Sequence, residues 1–502
     1  MTPEEKKKFV PPGTILVDWY DENDPALPFN WSTGKLTVVA GLILWLTFSV
    51  YAGSSLVTSS FPGLQETFGI GNAEVTTTLS VYVFAYGLGA LIFSPLSEIP
   101  ALGRNPFYSY PMVLFVLFQV GCARTETFYT FCIMRFLTGL MGAPFLATAG
   151  ASLQDAFTPD KLGALISFWA LSAFAAPAIG PIYGNYGKLT PCHGYRSVSS
   201  TLICLWFAAA VYLDNYHWPM WLLLIQTGFA TALLIVFLPE TSHNNILINR
   251  AKRLRALTGN ENIRSMAEIE QAHLTPNEIF VKAIVRPTEI FLKDPAITYA
   301  HLYTAIIYGI YYLFFESYPL VYQGIYGFSF QVSSLGYLAF LVGGLIACFS
   351  YLTYCAIKFG PIFKRGEMPV PEQWLDASLV STLLPPIGCL IYAWTARHSV
   401  HWIASLIGVM LFGGANFVTI QCIFSYVLSV YPAYGASLLA GNDFLRSSVA
   451  AGLLFAGQPM FKAMGIGGGN SFLAGLLVLG TVGAYVIWYF GATLRARSKF
   501  TG

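Results

Sequence analysis

Residues 176–184 read APAIGPIYG, which places Pro177 and Pro181 beside Gly180 and Gly184 in a segment apolar enough to cross a membrane. A proline removes a backbone donor and clashes with the preceding turn, whereas a glycine lets a second helix come close. The stretch therefore predicts a bent membrane helix that packs tightly against a neighbouring helix.

The composition of the whole chain agrees with a membrane protein. Of its 502 residues, 55% are hydrophobic and only 10% are charged. The net charge of +2, with few basic residues outside the loops, does not suit a nucleic-acid partner. The eight cysteines are scattered without metal-ligand spacing, so neither a metal nor a cofactor is expected.

Apolar windows long enough to cross a bilayer, which takes about 20 residues, recur along the chain. They predict twelve spans, near 36–57, 78–98, 107–123, 128–150, 162–186, 217–238, 297–317, 333–357, 377–396, 401–425, 433–460 and 471–494. Lys6, Lys7 and Lys8 precede the first span, and residues 58–77 contain no Lys or Arg, which predicts a cytoplasmic N-terminus. The sequon at Asn30 would then stay unglycosylated.

The spans divide into two sets of six on either side of a polar segment that carries eight Lys and Arg residues. This arrangement predicts an all-α membrane protein built as a duplicated transporter. Its predicted parts are a cytoplasmic tail at 1–35, a first half at 36–238, a cytoplasmic linker at 239–296, a second half at 297–494 and a cytoplasmic tail at 495–502. The N-terminus lacks the apolar core of a signal peptide, so no leader is expected to be removed.

Known enzyme and pump motifs do not fit the chain. The closest approaches to a nucleotide-binding loop, at 32–37 and 185–190, lack its first glycine and the hydroxyl residue after the lysine. Neither G-x-S-x-G nor H-E-x-x-H occurs, and no repeated channel filter is visible. The chain is therefore predicted to be a secondary transporter and not an enzyme.

Charged residues inside or beside the spans are candidates for function, because they are costly in a bilayer. Arg135 lies in span 4 within RFLTGLMGA, and either a functional charge or a structural ion pair would explain it. Glu98 and Arg104 flank a tight turn after span 2, and Asp155 could join them through Arg104. These three form a latch between two states, or they are ordinary interfacial charges.

An aromatic stripe in span 7 is the candidate substrate site, since aromatic faces accept planar, amphipathic or cationic molecules. It contains Tyr308, Tyr311, Tyr312 and Phe315, while Tyr318 and Tyr322 farther along are better explained by packing. Glu316 beside the stripe is near the end of the span, where partial hydration is expected, and would bind substrate or a proton. In span 11, Asn442 and Arg446 extend the site, and Arg446 needs a partner, for which Asp443 is a candidate.

Several of these motifs resemble a known family. SPLSEIPALGRNP at 94–106 resembles the loop 2–3 signature of the major facilitator superfamily, RFLTGLMGA its span-4 motif, and APAIGPIYG the span-5 motif of its drug:proton antiporter branch. The segments at 238–260, 285–328 and 431–447 are similar to fungal twelve-span drug:proton antiporters. Two positions depart from the span-5 pattern, because Ala176 and Asn185 stand where glycines are usual.

The resemblance implies the major facilitator fold and proton-coupled export of small amphipathic molecules such as drugs, toxins or secondary metabolites, by alternating access. Glu98, Arg104, Arg135 and Asp155 would serve in coupling or gating. The expected partners are a small-molecule substrate, protons and the bilayer, for a monomer in the plasma membrane. A facilitative or polyamine carrier of the same fold, and a substrate sensor without transport, remain alternatives.

Residues 187–215 are an atypical segment, since the resembling family reaches span 6 in far fewer residues. Its apolar core, Thr201–Leu213, is too short to span a bilayer. A thirteenth crossing would also move the basic linker outside. An external or re-entrant insertion is therefore expected, and translated intron sequence is the alternative.

Overall fold

The structure is a computed structural model, and it describes residues 10–11, 13–97, 99–186, 216–272, 285–431 and 434–497. The predicted latch residue Glu98 and the atypical segment at 187–215 lie outside the described residues, as do the ends of both tails.

Helices occupy all six predicted span positions of the first half. Spans 1 to 6 are Thr33–Leu56, Asn72–Ser97, Asn105–Arg124, Phe128–Ala147, Pro159–Tyr186 and Trp218–Phe237. Span 1 begins where the Ser32 side chain accepts a hydrogen bond from the Lys35 amide, which caps its free N–H groups. Short helices at Phe61–Phe68 and Ala149–Ala156 extend spans 1 and 4.

The second half has helices at its six predicted positions as well. Spans 7 to 10 are Pro295–Tyr318, Leu338–Lys358, Leu384–Thr395 and Ile403–Val430. Spans 11 and 12 both lie within the segment Gly435–Arg497. This segment is interrupted at Gly465, whose φ of 70° and ψ of 169° are not helical. We therefore take Gly465 as the boundary between spans 11 and 12.

In the part of the chain that the structure describes, ten helices are long and apolar enough to cross a membrane. One of the ten contains both spans 11 and 12, and span 7 is not among them although it has 24 residues. The tyrosines of span 7 lower its hydropathy, and 19 of its residues, Glu316 included, are buried. Span 7 is therefore covered mainly by protein.

The two halves pack against each other through two helix pairs. Span 2 contacts span 11, and span 5 contacts span 8. Gly87 of span 2 makes the first contact very close, because a Cβ there would lie 2.5 Å from the Cβ of Ser447. These two pairs form a large part of the interface that must rearrange if the halves move.

The N-terminal tail and the linker form a small structure at one end of the bundle, which was not predicted from the sequence. Strand β1 (Ile15–Val17) pairs in parallel with strand β2 (Ile263–Ser265). A buried ion pair joins Asp24 to Arg250 at 2.7 Å. We call this the linker end, and we call the opposite end, where spans 1 and 7 finish, the distal end.

The linker also contains the helices His243–Thr258, Met266–Ala272 and Arg286–Lys293. Arg255 and Glu268 pair within it at 2.7 Å. The linker is thus folded over much of its described length.

Candidate functional site

Arg135 of span 4 is completely buried, and its guanidinium is held by backbone oxygens. Its nitrogens donate to the carbonyls of Gly53 at 2.9 Å, Ser54 at 3.2 Å and Thr78 at 3.1 Å. The guanidinium carbon lies 4.2 Å from the centre of the Tyr82 ring. These partners are neutral. Among the described residues, Arg135 is therefore held by hydrogen bonds and a ring contact and not by the structural ion pair that was one of its two explanations.

Small residues near Arg135 let span 4 approach spans 1 and 2. A Cβ at Gly139 would lie 2.6 Å from the carbonyl oxygen of Tyr82, and one at Gly142 would lie 2.5 Å from Val50. Larger side chains would push the helices apart and move the carbonyls that hold the guanidinium. The glycines and the arginine therefore form one structural unit.

The predicted contact between Arg104 and Asp155 is present at the linker end, with Nε 2.5 Å from the carboxylate. Glu240, which was not predicted from the sequence, completes this cluster. Its carboxylate accepts from the backbone amides of Arg104 at 2.9 and 3.1 Å and of Asn105 at 3.1 Å. The loop between spans 2 and 3 is thus fixed both by a charged pair and by an acid from the linker.

Two further linker residues contact this loop and span 4. Asn245 donates to the carbonyls of Pro100 at 2.9 Å and Ala101 at 3.2 Å. A ring nitrogen of His243 lies 2.7 Å from the carbonyl oxygen of Asp155. The linker therefore holds the same turn in which the sequence predicted a latch.

The span-5 motif packs against span 1. A Cβ at Gly180 would lie 2.3 Å from Ser55 Oγ, and one at Gly184 would lie 2.4 Å from Ser59 Oγ. Helical structure continues from Pro159 to Tyr186 across Pro177 and Pro181. The two glycines thus supply the close helix contact that the sequence predicted.

Hydroxyl groups from both halves meet near the centre of the bundle. Tyr308 and Tyr86 are joined by a hydrogen bond of 2.5 Å between their oxygens, and Tyr312 bonds to Ser54 at 2.9 Å and to Tyr86 at 3.3 Å. Tyr86 and Ser54 belong to the first half, and the two span-7 tyrosines belong to the second. The predicted substrate stripe therefore lies on the interface between the halves.

The other stripe residues have different neighbours. The hydroxyl of Tyr311 donates to the carbonyl of Phe174 in span 5 at 3.0 Å, and the Phe315 ring stacks on Tyr337 with 5.0 Å between centroids. Tyr318 stacks on the same ring at 4.2 Å. The stripe thus faces two sides, with Tyr308 and Tyr312 toward spans 1 and 2 and Tyr311 toward span 5.

Arg446 of span 11 pairs with Asp443, the partner considered from the sequence. It also donates to the Tyr51 hydroxyl of the first half at 2.9 Å and lies 4.7 Å from the centre of the Tyr308 ring. Its Nε has no hydrogen-bond partner among the described residues. Arg446 therefore keeps one donor available beside the aromatic stripe.

Two asparagines add polar groups to the second half. Asn442 donates to Thr304 at 2.6 Å, while its side-chain oxygen has no partner among the residues described. Asn416 of span 10 is 1% exposed, and within the described ranges neither of its side-chain polar atoms is paired. Asn416 was not predicted from the sequence, although an amide in the middle of an apolar span was a signal that could have identified it.

Glu316 corrects one expectation, because it is buried and not partly hydrated. Only 4% of it is exposed, and it accepts a hydrogen bond of 3.2 Å from Thr76 of span 2. Gln458 of span 11 also faces its carboxyl group. The expectation was wrong because spans 2 and 11 cover this end of span 7.

Comparisons with known proteins identify the family. The family model described as Major Facilitator Superfamily matches residues 43–454. The chain therefore belongs to the major facilitator superfamily, and it is an integral multi-pass membrane protein of a transporter family and not an enzyme.

Curated relatives cover nearly the whole chain. The MFS-type transporter pyvG of Aspergillus violaceofuscus is 35% identical over 97% of this chain and 86% of its own length. Fluconazole resistance protein 1 of Saccharomyces cerevisiae is 35% identical over 97% of this chain and 85% of its own. The resemblance to fungal drug transporters is thus confirmed.

Solved structures show the same fold at low identity. The bacterial proton:xylose symporter XylE matches 92% of this chain and 96% of its own with a TM-score of 0.61 and 14% identity. The human organic anion transporter MFSD10 covers 90% of this chain and 100% of its own, with a TM-score of 0.60 and 15% identity. The predicted all-α major facilitator fold is confirmed.

Proposed function

We propose that this protein exports small amphipathic organic molecules by proton-coupled alternating access. The observation that carries the proposal is the set of hydrogen bonds in which Tyr308, Tyr312 and Arg446 of one half meet the other half. Substrate bound among these groups would contact both halves at once, so it would bias which side is open. Relatives named for fluconazole resistance and cycloheximide resistance support drugs or related compounds as the substrate class.

The substrate site of the proposal is built from residues already described. Aromatic rings of Tyr308, Tyr311, Tyr312 and Phe315 would bind the apolar face of a substrate. Asn442 and the free donor of Arg446 would bind its polar groups. In this assignment Pro177, Gly180, Pro181 and Gly184 keep span 5 close to span 1.

Gating is assigned to the linker end. Arg104 and Asp155, with Glu98 in the same loop, would hold the turn between spans 2 and 3 in one of its states, while Arg135 would keep spans 1, 2 and 4 together. We place the linker end in the cytoplasm and the protein in the plasma membrane as a monomer. The basic linker supports this orientation.

The test is transport into inside-out plasma-membrane vesicles from yeast cells that express the protein and lack their own drug exporters. Fluorescent amphipathic drugs are supplied outside, and the vesicle lumen is made acidic. We expect accumulation that collapses when a protonophore is added. An Arg446→Gln variant at equal expression should accumulate little.

The alternatives give different results in the same vesicles. Equilibration of a drug or a polyamine that is unaffected by the pH gradient would indicate a facilitative carrier and would contradict proton coupling. Saturable binding without any flux would indicate a sensor. Either outcome would overturn the proposed export.

A further inference from the structure

We propose that Glu316 is the side chain that carries the coupled proton, an inference that rests on the proposed function. Glu316 lies in span 7 between span 2 of the opposite half and span 11 of its own half. Thr76 donates to its carboxyl group across the interface at 3.2 Å. Gly457 of span 11 is so close that a Cβ there would lie 3.1 Å from the Cγ of Glu316.

The other buried carboxylates in the described ranges have partners that stabilise a negative charge. Asp443 pairs with Arg446, and Asp24 pairs with Arg250. Asp294 caps the start of span 7, where it accepts from the amides of Ala296 at 2.9 Å and Ile297 at 3.2 Å. Glu316 differs from them, since among the described residues its carboxyl group neither pairs with a cation nor caps the start of a helix, and its hydrogen bond comes from the neutral side chain of Thr76.

Among the described residues, the groups around Glu316 supply no compensating cation. Thr76 faces it from span 2, Gln458 from span 11, and the neutral phenol of Tyr337 lies nearby. Glu74 on span 2 and Lys462 on span 11 are both exposed. A carboxylate buried in a membrane protein without a cation is costly, so the protonated acid is the form that suits this site.

The position of Glu316 links its protonation to movement of the halves. When the halves are together at the distal end, Thr76 and span 11 exclude water from the carboxyl group. When they separate there, Thr76 moves away with the first half, and water can stabilise the ionised form. Protonation would therefore favour closure of the distal end, which is how a proton gradient acts on an alternating-access cycle.

The experiment compares Glu316→Gln, which imitates the protonated acid, with wild type and with the matched control Glu74→Gln. Purified proteins are reconstituted in liposomes that contain no other transporter. Two quantities are measured for one fluorescent drug, namely its accumulation driven by a pH gradient and its gradient-free exchange against unlabelled drug. We expect the gradient-driven accumulation of the drug by Glu316→Gln to be about tenfold or more lower than that by wild type, while exchange persists. The accumulation should then be as low as that of wild type without a gradient.

Each other result overturns the inference. Gradient-driven accumulation retained in Glu316→Gln would show that the proton is carried elsewhere. Loss of exchange as well, in folded protein with normal Glu74→Gln activity, would make Glu316 a substrate-binding residue. Wild-type liposomes that show no gradient-driven accumulation would defeat the proposed function itself, and this inference with it.

A second variant covers the case in which Glu316→Gln does not fold. Glu316→Asp keeps an ionisable group but moves it by one methylene. We expect the pH profile of gradient-free exchange to shift by about half a unit or more, because the carboxyl group meets Thr76 and Gln458 differently. An unchanged pH profile would contradict the assignment.

Discussion

The two ends of the bundle are held by different kinds of contact. At the linker end the contacts include three ion pairs, namely Arg104 with Asp155, Lys358 with Asp376, and Asp24 with Arg250. Toward the distal end they are neutral hydrogen bonds, such as those of Tyr312 with Ser54 and with Tyr86.

The two kinds of contact also join different parts of the protein. The first two ion pairs each lie within one half, and the third joins the tail to the linker, whereas the neutral bonds cross from one half to the other. A neutral hydrogen bond contributes only about 1 kcal/mol net, so several of them can break and reform during a cycle. Apart from the hydrogen bond that Arg446 donates to Tyr51, the bonds named between the halves are neutral, so charged contacts keep each half rigid while neutral contacts allow the halves to separate.

The largest effect is expected from Arg135→Met, which removes the charge that holds spans 1, 2 and 4 together. Three carbonyl oxygens lose their donor, and hydrogen bonds to charged groups contribute about 1.5–3 kcal/mol each. We expect severe loss of folded protein, measured as the monodisperse fraction that survives heating in detergent. Arg135→Lys should retain part of the stability, since it keeps the charge but fewer donors. Unchanged thermal stability of Arg135→Met would contradict this role.

A smaller effect is expected from Glu240→Gln at the linker end. The substitution keeps the shape of the side chain but removes the negative charge of the carboxylate that accepts hydrogen bonds from the backbone amides of Arg104 and Asn105. The weaker hydrogen bonds should cost about 1–2 kcal/mol of stability. Transport should fall several-fold in the vesicle assay, with only a modest loss of thermal stability. The matched control is Glu261→Gln, an exposed acid of the same linker. Equal transport by both variants would show that Glu240 does not fix the gating loop.

The sequence predicted what depends on local composition. The helix positions follow from apolar windows, although the tyrosines of span 7 lower its hydropathy, and Arg135, Arg104 and Asp155 were found because charges are rare in and beside such helices. Glu240 and the β1–β2 pair were missed because their partners lie far away along the chain. Glu316 was assigned the wrong environment for the same reason, since its position in span 7 does not reveal that spans 2 and 11 cover it.

Tyr312→Phe tests the neutral contacts directly. It removes the hydrogen bonds to Ser54 and Tyr86 but keeps the ring. The state with the distal end closed should therefore lose about 1 kcal/mol of stability relative to the open state, which is roughly a fivefold shift in the equilibrium between them. The reporter is Ser333→Cys, a buried position in Phe330–Ser334, which packs against span 5 across the interface. A membrane-impermeant maleimide should label it faster in Tyr312→Phe than in the wild-type background.

The same labelling experiment needs two references. Tyr312→Phe without the added cysteine gives the background from the native cysteines. Tyr485→Phe is the matched control, because the Tyr485 hydroxyl donates to Leu379 within the second half. Labelling equally fast in all backgrounds would show that the neutral bonds do not hold the distal end closed.

The smallest effect on transport is expected from the tail. The hydrogen-bonded guanidinium of Arg250 holds the pKa of Asp24 well below its ordinary value. A lowered pKa in the folded state means that the stabilisation is complete above the unfolded pKa of about 4 and is lost as pH falls through the folded value.

Hydrogen exchange of residues 15–17 should therefore accelerate at acidic pH beyond the intrinsic pH effect. Asp24→Asn should exchange faster already at pH 7 and lose this extra pH dependence, with little change in transport. Because the pair joins the tail to the linker and crosses no interface between the halves, a large transport defect in Asp24→Asn would show that the linker end also takes part in the movement.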